Sequence, residues 1–528
     1  MSTVSASADA SPSLSPALQR LLDHPPVREI PRPRQIFVNR NTRMSEIEVV
    51  GFDMDYTLGT YRLRRIEELS YAMTLERLIA VAGYPRELAS LTYDHSFVMR
   101  GLVVDKDYGN LFKSDRFNHV GRCYHGRHPL DPKVWRKLYR DTKFRVAAPR
   151  FAWIDTLFAL PEAALYAQII ELLESKGQAV DYAKLYEDIR HAIDEVHRDG
   201  TLKSRIRARI EDFVAPDPEL GPALHKLRSS GKKLFLLTNS LLDYTDDVMR
   251  HVLDGRLPEY PSWRNYFDVI VVGAQKPRFF SERAPFFEVT PTGPATEPPE
   301  TLERGRIYEG GNLVDFERLL EISGERILYV GDHIYGDILR SKKSSLWRTC
   351  MIVEELETEL TYTEAHAEEI RELGAREMLR ARLDDALNQR KLQLNLADKR
   401  AAWGVGGGEA ERRALKLELE KLRKAARTLD TEIETLASEV ENGFNRNWGL
   451  LFKEGNENSR FGEQIEDYAC LYTSRVSNFV FYSPMQYFRS PRATMPHERA
   501  MVRISPYGDE HGAPVAGDRP SKASKAST

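Results

Sequence analysis

An apolar run that stops on two carboxylates limits how this chain can fold. In IEVVGFDMDYTLGTY, residues 47–61, the positions Ile47, Val49, Val50 and Phe52 read as a buried strand. Asp53 and Asp55 follow it at once, with Thr57 close behind to fix the turn by hydrogen bonding. Strand ends in open α/β sheets are where ligand-binding groups collect. Two carboxylates there repel each other unless a cation or a shared proton balances them. One can then act as nucleophile and the other as acid or base. Over these residues alone, a strand running into an acidic turn would read the same way.

Three later segments repeat the pattern. KKLFLLTNS (232–240) is an apolar run ending in hydroxyl and amide side chains. VIVVGAQKP (269–277) ends at Lys276, and RILYVGDHIYGDILRSKK (326–343) ends at Asp332, with Asp337 five residues on. Strands alternating with helical segments call for a parallel sheet, so the fold class is α/β with a doubly wound parallel sheet. The four ends together supply a carboxylate nucleophile, an acid, hydroxyl and ammonium groups for phosphate oxygens, and further carboxylates for Mg²⁺. In this order the set resembles the haloacid dehalogenase superfamily of phosphohydrolases. FVNRN, GFDMDYTLGTY, RGLVVDKDYGNL, LFLLTNS, KPRFF, YVGDHIYGDILRSKK and the late MPHE narrow it, from about Phe37 to Glu498, to a resemblance to the cytosolic purine 5′-nucleotidase family.

The resemblance implies roles. Asp53 would be the nucleophile, Asp55 the acid and base, and Thr238 and Lys276 the groups that hold and neutralise the transferring phosphate. Asp53, Asp55, Asp332 and Asp337 would hold Mg²⁺, Asp55 through its backbone carbonyl. Asn239 and Ser240 would touch substrate, although a TNS triplet also caps helices. Arg190, Asp194 and His197 fall at i, i+4 and i+7 on one helix face, which by itself describes a solvated face. The family's nucleotide-binding helix places such residues, with the Lys matching Lys203, against base, ribose and phosphate, and Phe158 matches its base-stacking aromatic. Ala159 stands where the vertebrate enzymes carry Asn, which removes one polar contact to the base. Arg145, Tyr335, Lys342 and Lys343 match the family's nucleotide effector site. Asp155 replaces an Asn there and would oppose polyphosphate.

The implied activity is Mg²⁺-dependent hydrolysis of purine nucleoside 5′-monophosphates, IMP and GMP favoured, with phosphotransfer as a companion reaction. Two rivals stand beside it. One is a haloacid-dehalogenase phosphatase of other specificity, the other a non-catalytic scaffold on the same fold.

Composition bounds the rest. A net charge of −3 over 528 residues gives no electrostatic case for nucleic acid or an anionic membrane. Three widely spaced cysteines fit a reducing, cytoplasmic setting, and no 18-residue apolar span suits a membrane helix. The expected organisation is a disordered leader (1–30) and a catalytic core (31–61 and 216–363), with a mainly helical cap (62–215) inserted between the first two catalytic strands. A surface excursion over 281–312, a hairpin or a loop, interrupts the core. A charged helical hairpin (364–441), an aromatic-rich segment packing on the core (442–505) and a disordered tail (506–528) complete the chain. In the hairpin, Leu415, Leu419, Leu422, Ala426, Leu429, Ile433, Leu436 and Val440 form a heptad seam, serving either a partner or the chain itself. With the aromatic stretch, the seam favours a homo-oligomer, dimer or tetramer.

Overall fold

Val49–Phe52 is buried at every position because it has a strand on either side and layers on both faces. It pairs in parallel with Lys233–Leu237 and with Ile327–Gly331. Gly51 is required at its centre. A Cβ there would come within 1.9 Å of the Phe235 ring on the neighbouring strand. The molecule was examined as a computed structural model that describes residues 29–140, 148–290, 293–295, 297–339, 345–403 and 408–491.

Ten strands make the main sheet, in the order Phe37–Val38, Leu471–Thr473, Arg348–Ile352, Ile327–Gly331, Val49–Phe52, Lys233–Leu237, Val269–Val272, Ile307–Gly310, Phe286–Thr290, Gly293–Pro294. The run from Leu471–Thr473 to Ile307–Gly310 is parallel throughout. Antiparallel pairs close the two edges. Successive strands step outward from Val49–Phe52 on one side, and Ile327–Gly331 returns to its other side. Asp53 therefore follows the strand at which the winding reverses, the place where open α/β sheets bind ligands. The segment 281–312 contributes three strands to this sheet, Phe286–Thr290 and Gly293–Pro294 as an antiparallel hairpin and Ile307–Gly310 beside it.

Between Tyr61 and Val214 the chain leaves the core and returns. The exit and re-entry are paired, Tyr61 with Val214 and Thr60 with Ala215. The inserted cap is mainly helical, built on Leu63–Ala80, Leu160–Ser175 and Tyr182–Arg198. Leu160–Ser175 is apolar nearly all round and runs through the cap's interior. The cap also carries a five-stranded antiparallel sheet that the helical periodicity did not foretell. Its centre is the hairpin Leu102–Asp105 with Asn110–Ser114, turned through Gly109 at φ +69°.

Helices Ala367–Ala402 and Glu409–Phe444 lie antiparallel, as the ion pairs Arg380–Asp430 and Arg390–Glu418 require. Every residue of the heptad seam is buried or half-buried within the chain. Leu419 and Ala426 pack against Leu387 of the other arm. Within the chain, the seam packs one arm against the other. The aromatic-rich stretch packs back on the body: Leu471–Thr473 joins the main sheet and Tyr487–Phe488 pairs with Thr42–Arg43. None of the described helices is long and apolar enough to cross a membrane.

Candidate active site

Four strand ends bring the polar groups together. Asp53 follows Val49–Phe52, Thr238 follows Lys233–Leu237, Lys276 lies beyond Val269–Val272, and Asp332 follows Ile327–Gly331. Lys276 is the hub. Its ammonium lies 2.8 Å from Asp53 Oδ1 and 2.7 Å from Asp337 Oδ1, and donates to the Tyr329 hydroxyl at 2.8 Å. Asn239 fixes the lysine's backbone from across the sheet: its Oδ1 accepts from Lys276 N at 2.6 Å and its Nδ2 donates to Lys276 O at 2.9 Å. Asp337 rides on a short π-helix, Ile334–Leu339, the kind of irregular turn that recurs at functional sites. Room for its carboxylate depends on Gly331, where a Cβ would lie 2.6 Å away.

Three carboxylates around one ammonium leave negative charge in excess. Burial pushes Asp53 up to about 7, with Asp337 and Asp55 adding to the rise and Lys276 opposing it. Burial likewise holds Asp332 well above the carboxylate range, helped by Asp337 and Asp53. Burial alone would lower Lys276, but Asp337 and Asp53 outweigh it and hold the ammonium charged. The Asp332 Oδ2 atom is buried with no hydrogen-bond partner among the described residues, a cost a protein rarely carries without a ligand. Asp53, Asp332 and Asp337 offer oxygens within 4.8 Å of one another. This set of hard oxygen donors, one of them orphaned, fits a divalent cation such as Mg²⁺ and does not suit a thiophilic metal.

The Asp55 carboxylate is not in that trio. It is held on the opposite side, where Tyr61 donates to Oδ1 at 2.5 Å and Ser240 donates to Oδ2 at 2.8 Å. Lys203 reaches Ser240 Oγ at 3.2 Å, and Tyr244 meets the Tyr61 hydroxyl at 2.9 Å. The sharp turn after Asp53 places Tyr56 at φ 55°. Its backbone bonds converge on Met54 O, while the Thr57 hydroxyl, expected to fix the turn, is buried without a partner among the described residues. The Thr238 hydroxyl shapes its own loop, accepting from Ser240 N at 3.1 Å.

A cavity of about 170 Å³ opens beside Asp55. Asn239, Ser240, Tyr244 and Tyr61 form its core wall, and Phe158, His197 and Lys203 its cap wall. Phe158 and His197 meet edge to face at 5.4 Å. His197 has a buried Nε2 without a partner among the described residues. Burial drives this ring down to about 4, with the Lys203 charge adding to the drop, so it is neutral at physiological pH. Arg190 and Asp194 share the helix with His197 but do not line the cavity. Arg190 is drawn to the fully buried Glu162 at 2.8 Å and to Asp194 at 3.4 Å. Tyr186 donates to the same Glu162.

Several of these residues were not anticipated. Tyr61 lay inside the quoted motif, but a tyrosine after a turn has no spacing signal. Arg100 is fully buried, ion-paired with Glu355, and donates to the Asp332 carbonyl at 3.2 Å. Glu162, Tyr244 and Tyr329 each act through partners far away in sequence. Of the expected effector positions, Arg145, Lys342 and Lys343 lie outside the described residues, as does the side chain of Tyr335. Asp155 follows the cap strand Phe151–Ile154.

The 5' nucleotidase family matches residues 36–500 of this chain. A 5'-nucleotidase domain-containing protein of Dictyostelium discoideum is 31% identical over 486 residues, covering 90% of this chain and 76% of that protein. The 5'-nucleotidase domain-containing protein 2 of Rattus norvegicus is 30% identical over 487 residues, covering 90% and 82%. Its Homo sapiens namesake is 35% identical over 349 residues, covering 64% and 66%.

Proposed function

The chain belongs to the 5' nucleotidase family, and on that premise we propose a Mg²⁺-dependent hydrolase of purine nucleoside 5′-monophosphates, IMP and GMP before others. The observation that carries the reading is the division of labour around the two carboxylates. Asp53 faces an ammonium and a carboxylate trio, whereas Asp55 faces hydroxyls and a cavity with an aromatic wall.

Asp53 Oδ1 is taken by Lys276 and by the Met54 amide at 2.7 Å, which leaves Oδ2 to attack phosphorus. The P–O bond to the ribose breaks, and Asp55 protonates the departing 5′-oxygen, giving the nucleoside and an aspartyl-phosphate. Asp55, now ionised, takes a proton from water, which attacks phosphorus and frees phosphate and Asp53. A nucleoside hydroxyl in place of that water would make the same intermediate a phosphoryl donor. Lys276 stabilises charge on the transferring group throughout. Asp53, Asp332 and Asp337 would hold the Mg²⁺, and the bound ion neutralises phosphate and carboxylate charge so that Asp53 reacts in its ionised form. Phe158 would stack the base, with the neutral His197 and Lys203 bordering the sugar side.

Phosphate release from a panel of purine and pyrimidine 5′-monophosphates and sugar phosphates, with Mg²⁺ and with EDTA, tests the reading. The expected result is purine preference and no turnover in EDTA. Equal rates on sugar phosphates, or full turnover without metal, would refute it.

A further inference from the structure

A second cavity, of about 400 Å³, shares none of its lining with the active site. It opens where the last turn of helix Leu242–Leu253 meets the turn Trp263–Tyr266 and the loop at Arg304 and Gly305. Arg250, Arg264 and Arg304 line it, together with Ser262 and Asn265, and no carboxylate does.

The charges around it do not balance. Asp246 is shared by Arg250 at 2.6 Å and Arg264 at 2.8 Å. Asp268 is shared by Arg228 at 2.9 Å and Arg304 at 3.6 Å. Asp254 stands close by, accepting from the Trp263 amide at 2.6 Å, so among the described residues four guanidiniums meet three carboxylates, and three of those guanidiniums line the cavity. Half-exposed arginines usually relieve such repulsion by swinging into solvent. Two of the three lining arginines have further tethers. Arg264 lies over the Trp263 ring at 5.7 Å, Asp246 is anchored by the Trp263 indole N–H at 3.0 Å, and Arg304 donates to the Asn265 carbonyl at 3.1 Å. Fixed planar forks converging on one space suit phosphate oxygens better than any carboxylate already present.

We propose that this cavity is a second anion site, for a small phosphate-bearing ligand. Its lining residues are other than the expected effector residues, and the proposal does not rest on the nucleotidase reading. Helix Leu242–Leu253, which carries Arg250 in its last turn, begins beside Ser240 and carries Tyr244 in the catalytic cavity wall, so one element spans both sites.

Isothermal titration of the full chain with inorganic phosphate, in EDTA, tests this. Phosphate held at Lys276 is untouched by changes at Arg264 and Arg304, so the heat those variants lose reports the arginine cavity. Wild type should bind phosphate there. Arg304→Gln should weaken binding about tenfold, Arg304→Lys should weaken it less because charge survives and the fork does not, and Arg264→Gln with Arg304→Gln should abolish it. Melting temperature without ligand and hydrolysis of IMP should stay as in wild type. A parallel titration with ATP identifies the source: tighter binding than phosphate assigns the site to a nucleotide polyphosphate, and equal binding to the bare phosphate group. No binding by wild type at millimolar phosphate, or undiminished binding by the folded double variant, would overturn the proposal.

Discussion

The core wall and the cap wall of the active site are built on opposite principles. On the core side, Asp53, Lys276, Asp332 and Asp337 are all buried and locked to one another through backbone-fixed loops. On the cap side, Phe158, His197 and Lys203 are only partly buried, and Arg190 and Asp194 on the same helix as His197 are more exposed and paired sideways. Buried charges close together are costly to arrange and tolerate no displacement, so they suit a fixed chemical task. An apolar ring and half-solvated side chains on a separate insertion can be exchanged at little cost. The proposed function assigns chemistry to the core and selectivity to the cap.

The largest effect should fall on the core. Asp53→Asn keeps the shape and removes the attacking oxygen, so steady-state phosphate release should drop by on the order of a thousandfold or more on every substrate alike. Its circular dichroism should be unchanged, because the replaced charge repels its neighbours. Residual activity above about a tenth of wild type would place the nucleophile elsewhere and dissolve the contrast.

Phe158→Ala should behave differently. Stacking and one associated hydrogen bond are worth about 2–4 kcal/mol, so preference for IMP over a pyrimidine monophosphate should shrink by roughly 30-fold or more. The loss should appear in KM for IMP, while hydrolysis of p-nitrophenyl phosphate stays nearly constant. Equal losses on both substrates would make Phe158 a packing residue and move selectivity off the cap.

The smallest effect sharpens the comparison through pH. In metal-free protein, Asp53 carries a folded value of about 7 against an ordinary 3.8, so the folded state binds the extra proton between them. That contribution makes stability fall as pH rises through this window. His197 has the opposite sign. Its folded value of about 4 lies below the ordinary 6.5, so the unfolded state binds the extra proton, and this contribution is lost as pH falls from 6.5 toward 4. Urea midpoints across pH 4–8 should show Asp53→Asn reducing the high-pH loss, to which Glu67, Glu354 and Glu359 also contribute, and His197→Gln reducing the acid-side loss. Parallel curves for both variants would mean that the two walls are not electrostatically distinct.

The strand ends were legible because their signal is local: an apolar run followed by a polar residue needs no knowledge of the rest of the chain. The seam from Leu415 to Val440 was equally plain as periodicity, but its partner was not, since the same heptad can face a second copy or the arm that carries Leu387. The cap sheet was hidden because LVVD and NLFKS are short apolar runs that suit helix or strand, and only the turn through Gly109 separates them. Arg190 illustrates the limit on site residues. Its spacing with Asp194 and His197 is visible in sequence, but the pull of the buried Glu162 is a tertiary fact. Tyr61 and Arg100 were silent for the same reason.

The most direct test follows the phosphoryl group. Wild-type protein mixed with [5′-³²P]IMP and Mg²⁺, quenched in acid within the first turnover and digested, should yield one labelled peptide, spanning 47–61, with the label on Asp53. The Asp53→Asn protein should yield none. Label on another residue, or full turnover with no labelled protein at any quench time, would contradict the account.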